Sequence, residues 1–141
     1  MEIRPIVPGF AVAPQIEPED MAELAAMGYR TVINNRPDSE VDPYFAHQAM
    51  AAAAKAAGLG YYRLPYVPGA LSDALIDDFA AALAAAEQPV LAYCRSGTRS
   101  SHLWALAEAP HRPLAEIVSA AAAAGYDLHD LLPDLAERGA R

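Results

Sequence analysis

The stretch Pro89-Val90-Leu91-Ala92-Tyr93-Cys94-Arg95-Ser96-Gly97-Thr98-Arg99-Ser100 passes from an apolar run, through a polar turn holding one glycine, into helical periodicity. The short apolar run reads as a buried strand. Beyond Thr98, Leu103, Trp104 and Leu106 form the core-facing stripe of a helix. The only cysteine of the chain therefore stands where a strand ends, a tight loop turns and a helix begins. Such a loop aims several backbone N–H groups at one point, and the helix N-terminus adds about half a positive charge there. The expected result is an anion cradle with a sulfur nucleophile at its rim.

On either side of this stretch, short apolar runs alternate with longer alanine-rich ones, the pattern of an α/β domain. Strands are expected at Phe10–Ala13, Thr31–Asn34, Tyr61–Leu64 and Val90–Tyr93. Helices are expected at Pro18–Met27, Pro43–Ala57, Ser72–Ala86, Thr98–Glu108, Leu114–Ala124 and Leu128–Glu137. Pro18 suits a first helical position, and Glu19, Asp20 and Glu23 suit the positive end of that helix. Gly28 and Gly58 follow helical patterns where a left-handed cap is expected, and Ser72 can cap the helix that carries Leu75, Ile76, Phe79 and Leu83 on one face. No repeat or linker divides the chain, so residues 1–141 read as one domain.

Composition narrows the function. A chain of 141 residues can bury a full core without metals or disulfides, and one cysteine cannot form an intrachain bridge. A reducing cytoplasm is the expected compartment, with no leader and no apolar run long enough for a membrane helix. The net charge of −8 argues against nucleic acid or an anionic membrane as partner. An anionic substrate has to be captured by a local positive spot. His47, His102, His111 and His129 show no metal-ligand spacing, so neither a metal nor another cofactor is expected.

A thiolate is the nucleophilic form of cysteine, and both a helix N-terminus and nearby arginines favour it. Arg99 follows Cys94 at the fifth position, so a loop curling through Gly97 can return its guanidinium, a planar fork matched to two oxygens, over the site. Ser100 is expected to donate a hydrogen bond to the Cys94 sulfur. The anion would be held by Arg95, Ser96, Gly97, Thr98 and Arg99, with Arg36 adding charge from the loop after the Thr31–Asn34 strand. Asp38 or Glu40 could act as general acid there, although Asp-Ser after a proline is also ordinary turn chemistry. Arg63 is as well placed to pair with one of these carboxylates as to serve the site. Asp73 and Asp77 suit a helix start, and His102 reads better as a structural histidine than as a site residue. A buried structural cysteine is the plain alternative, but the polar neighbours of Cys94 make a poor apolar pocket.

The run from Val90 to Ser100 with Leu103-Trp104-Ala105-Leu106, taken with Thr31-Val32-Ile33-Asn34-Asn35-Arg36-Pro37-Asp38-Ser39-Glu40, resembles one bacterial family. It is the phosphatase-like domain of beta-lactamase-hydrolase-like proteins, similar in plan to the dual-specificity phosphatases. Gly58-Leu59-Gly60-Tyr61-Tyr62-Arg63-Leu64-Pro65 falls in the expected middle position, and the resemblance runs from Phe10 to about Leu106. It implies a tyrosine/dual-specificity-phosphatase-like α/β fold with a parallel-dominated sheet of four or five strands flanked by helices. It also implies catalysis by Cys94, with Arg99 holding the phosphoryl group and Ser100 assisting departure of the thiolate; Asp38 is the candidate acid from its place after the Thr31–Asn34 strand, not from the resemblance. Three features depart from the tyrosine-phosphatase pattern: Tyr93 replaces a histidine, four residues rather than five separate Cys94 from Arg99, and Tyr66-Val67-Pro68-Gly69-Ala70 holds no acid. The shorter loop is similar to that of rhodanese sulfurtransferases. The leading expectation is a cysteine-dependent phosphatase. Sulfur transfer through a Cys94 persulfide comes second and a non-catalytic anion-binding module third. The expected partners are a small anionic or phosphorylated substrate, a second copy of the chain as a homodimer and, from fused relatives, a metallo-beta-lactamase-like hydrolase.

Overall fold

The structure, a computed structural model, describes residues 1–141. Five strands, β1 (Arg4–Val7), β2 (Phe10–Ala13), β3 (Thr31–Asn34), β4 (Gly60–Arg63) and β5 (Val90–Tyr93), form one sheet in the order β1-β2-β5-β3-β4. Only β1, which pairs with β2, is antiparallel; the other neighbours are parallel. The strand that leads into Cys94 thus occupies the middle of the sheet, with β2 and β3 on either side in register: Ala13 and Asn34 both lie opposite Tyr93. The ends of three strands meet at the cysteine, and ligands of open parallel sheets bind at such carboxyl ends.

Alternation along the strands sorts the core into two layers. Phe10, Val12, Ile33, Val90 and Ala92 pack with Ile76, Phe79, Leu103, Trp104, Leu106, Ile117 and Leu135. These come from α3 (Asp73–Ala85), α4 (Thr98–Glu108), α5 (Leu114–Ala123) and α6 (Leu132–Glu137). On the opposite face Ala11, Ala13, Val32, Leu91 and Tyr93 pack with Met21, Leu24, Met50 and Ala54 of α1 (Asp20–Ala26) and α2 (His47–Ala56). Both faces are covered, and for that reason β5 is apolar throughout rather than alternating. No helix is long and apolar enough to cross a membrane.

Strands β2, β3 and β5 and helix α4 have the bounds expected from sequence, and β4 begins one residue earlier. Gly28 and Gly58 have φ of 100° and 77°, and Ser72 Oγ accepts the Leu75 N–H at 3.1 Å. Two expectations change. Strand β1 was not anticipated, because Pro5 lacks an N–H and is tolerated only at an edge. The expected helix from Pro43 divides into a single 3₁₀ turn at Pro43–Phe45 and α2, since Ala46 is extended (ψ 158°). The carboxylate that caps the start of α2 is remote: Asp38 Oδ1 accepts the His47 N–H at 2.8 Å.

Candidate active site

Asn35, the residue after β3, fixes the end of β5 and the start of α4 together. Its N–H donates to Tyr93 O and its carbonyl accepts from the Tyr66 N–H, each at 2.8 Å. Its buried side chain donates to Leu64 O and accepts from Ser100 Oγ, again at 2.8 Å. The Ser100 hydroxyl therefore serves Asn35 and not the Cys94 sulfur, contrary to the expectation from sequence. The sulfur instead accepts the Gly97 N–H at 3.1 Å, within a loop that closes tightly enough for a backbone amide to reach it.

Gly97 has φ 89°, a left-handed conformation that suits glycine, and forms the N-cap of α4. Ser96 Oγ accepts from Thr98 N at 3.4 Å and donates to Thr98 Oγ1 at 3.0 Å. No backbone carbonyl accepts from the amides of Arg95, Ser96, Arg99 or Ser100. In α4 this is the ordinary state of a first turn; in the loop it leaves the Arg95 and Ser96 amides without a backbone acceptor. Cys94 itself is fully buried at the floor of the loop. The Tyr126 hydroxyl, from beyond α5, donates to Ser96 O at 3.0 Å, a contact with no local sequence signal.

The Arg99 guanidinium has partners that the sequence did not single out for it. Its Nη1 and Nη2 donate to Glu40 Oε2 and Oε1, both at 2.8 Å, and Nη1 also donates to Tyr66 O at 2.7 Å. This end-on grip leaves the side edge of the fork, Nε and the second Nη2 hydrogen, free of protein acceptors. Arg99 is raised above its ordinary range, first by the Glu40 hydrogen bonds, against the opposing effect of burial. The same bonds hold the Glu40 carboxyl below its usual range, so Glu40 stays ionised and is unsuited to donate a proton.

Arg36, expected to bind the anion, spends its three nitrogens on Glu40 Oε1 (3.3 Å), Glu40 O (3.2 Å) and Gln15 Oε1 (3.0 Å). It supports Glu40 from behind. Asp38, expected as the acid, is engaged by the His47 N–H and lies 3.6 Å from Arg63, the pairing anticipated for that arginine. Asp73 and Asp77 pair with Arg138 away from the loop. His102 is half-buried one turn after Arg99, and burial pushes its imidazole down. The structure thus brings Cys94, Gly97, Arg99 and Glu40 together and directs Asp38, Arg36 and Ser100 to supporting contacts.

Solved structures share this arrangement of elements. A candidate phosphatase from Neisseria meningitidis is 31% identical, with a TM-score of 0.83 over 98% of this chain and 99% of that one. PTPMT1 superposes with a TM-score of 0.75 over 97% of this chain and 93% of its own, at 19% identity, a likeness of fold. A beta-lactamase hydrolase-like protein of Xylella fastidiosa (strain Temecula1) is 38% identical over 108 residues, 77% of this chain. The chain spans about a quarter of that relative's length. Residues 2–112 match the phosphatase-like domain of beta-lactamase hydrolase-like proteins, and the chain belongs to that family.

Proposed function

We propose that the chain is a cysteine-dependent phosphatase in which Cys94 is the nucleophile and the loop from Arg95 to Arg99 is the phosphoryl cradle. The observation that carries this reading is the combination of a sulfur held by the Gly97 N–H and an Arg99 fork gripped at one edge by Glu40 and open at the other. A phosphoryl group seated on the loop amides would meet that open edge with two oxygens. The Cys94 thiolate attacks phosphorus, an S–P bond forms and the ester P–O bond breaks, with the electron pair leaving on the alcohol oxygen. Water then attacks phosphorus and the S–P bond breaks; the protons of the water stay on the released phosphate, one passing in solution to the departed alkoxide, and the thiolate returns to the Gly97 N–H. Charge gathers on the equatorial oxygens, where the amides and Arg99 lie; losing one such donor elsewhere costs about 2.7–4 kcal/mol of transition-state stabilisation.

The acid step sets the substrate range. Glu40 is held ionised and Asp38 is engaged by other partners. Substrates whose leaving group departs without protonation are therefore favoured. One observation favours a second reading: the four-residue spacing between Cys94 and Arg99 makes a narrower ring, suited to a persulfide sulfur on Cys94. Incubating the protein with an activated aryl phosphate and, separately, with thiosulfate distinguishes the two, with Cys94→Ser as control. Cys94-dependent phosphate release without a sulfur adduct by intact mass is the expected result. A stable persulfide, cyanide-dependent thiocyanate and no phosphate release would overturn the proposal, and anion binding without either activity would leave a binding module.

A further inference from the structure

The Ser96–Gly97 peptide is held at both ends. Its N–H points at Cys94 Sγ, 3.1 Å away, and its carbonyl oxygen accepts the Tyr126 hydroxyl at 3.0 Å. Gly97, at φ 89° and ψ −12°, has the angles of the third residue of a type II turn. The peptide preceding that residue is the one that reverses when a type II turn becomes type I, and a glycine tolerates both states. Reversed, it would withdraw the N–H from the sulfur and present a carbonyl oxygen to a thiolate and to an incoming anion. Two local arrangements of this peptide are thus stereochemically open, of which only the observed one can support anion chemistry.

We infer that Tyr126 is a positioning residue that selects the productive state, its hydroxyl gripping the Ser96 carbonyl so that the Gly97 N–H stays on the sulfur. The fit is close. A Cβ on Gly97 would lie 2.0 Å from Tyr126 Oη, so the phenol seats directly against the backbone that it orients. Tyr126 is 6% exposed, and its own N–H is fixed to Ala121 O at 2.9 Å. Burial pushes the phenol up, so it remains a donor at neutral pH even though Arg4, 5.3 Å over the ring, pulls the other way. Accepting at the carbonyl also polarises the peptide, which strengthens its N–H as a donor. Tyr126 lies outside residues 2–112, which match the family, so its contact comes from the chain after that match.

The inference deepens the phosphatase reading, and its main test needs no turnover. The full chain, Tyr126→Phe and, as a control that keeps the hydroxyl, Arg4→Ala are alkylated with iodoacetamide at pH 7 and at pH 10 and followed by intact mass. In Tyr126→Phe, alkylation of Cys94 is expected to slow about 3- to 10-fold at pH 7, and to match the parent within about twofold at pH 10, where thiols ionise unaided. Arg4→Ala keeps the parent's ratio of the two rates. With an activated aryl phosphate, kcat falls by a comparable factor while KM holds. Equal alkylation at pH 7, or equal slowing at both pH values, would overturn the inference, the first making Tyr126 packing alone and the second a matter of access. Exchange of the Gly97 amide in the parent protein gives a readout independent of any variant: protection is expected, and an unprotected amide would overturn the inference. If the parent releases no phosphate, the phosphatase reading fails while alkylation still decides the role of Tyr126.

Discussion

Replacing Glu40 with glutamine tests the grip on Arg99 directly. The carboxylate makes two 2.8 Å bonds to Arg99 and one of 3.3 Å to Arg36; glutamine keeps one acceptor and turns an NH₂ toward guanidinium hydrogens. Arg99 and Glu40 side chains are 15% and 23% exposed, between a buried pair and a surface pair. Hydrogen bonds to charged groups contribute about 1.5–3 kcal/mol when buried and exposed pairs about 0–1, so a loss of about 2 kcal/mol is expected at pH 7. The pH dependence carries the sign. The folded carboxyl is held below its unfolded value of about 4.3, so the stabilisation is complete above that pH and is lost as pH falls through the folded value. Urea unfolding of parent and Glu40→Gln should therefore show the widest gap near neutrality and a closing gap below about pH 4. Activity on an activated aryl phosphate should fall about 10- to 100-fold as the fork loses its fixed orientation. A stability gap that stays constant from pH 7 to pH 3 would refute the ion-pair reasoning, and unchanged activity would refute the orienting role.

Two further substitutions probe the frame of the loop. Gly97→Ala combines a left-handed φ with a Cβ 2.0 Å from Tyr126 Oη, so about 1–2 kcal/mol of backbone strain adds to the displaced Tyr126 bond, about 1 kcal/mol, and thermal melting should fall by about 8 °C or more. A melting point within about 1 °C of the parent would count against the packing described here. Asn35→Ala leaves the Ser100 hydroxyl and Leu64 carbonyl without their partner and should destabilise by about 2–4 kcal/mol in urea titration, with inorganic phosphate binding more weakly. Unaltered phosphate affinity would separate Asn35 from the site.

The strand, turn and helix around Cys94 were legible because each rests on local chemistry: an apolar run buried on both sides, a glycine able to take φ 89°, and a stripe at Leu103, Trp104 and Leu106. Arg36 to Glu40 was also legible as a segment near the site, since it follows a strand. Partner choice was not. Arg99 meets Glu40 across 59 residues and Ser100 meets Asn35 across 65, and which of Asp38 and Glu40 faces the loop depends on one 3₁₀ turn. Asp38 and Glu40 look equivalent as carboxylates two residues apart, yet one caps α2 and the other grips Arg99. The Tyr126 contact depends on how α5 returns over the edge strand β1, where Arg4 covers its ring, and a single aromatic after a glycine carries no such information.

The pairing of two guanidinium groups, Arg36 and Arg99, with the single carboxylate of Glu40 also determines how far away the site can be felt. The trio has one net positive charge, in a chain whose net charge is −8. Beyond a screening length of about 8–10 Å a doubly charged ligand meets the repulsion of the whole molecule, and only at contact does it meet the fork. Added salt then acts in two directions, easing the approach of such a ligand while loosening it once seated. Recognition here is decided at short range, by fit to donors already in place, rather than by attraction from solution.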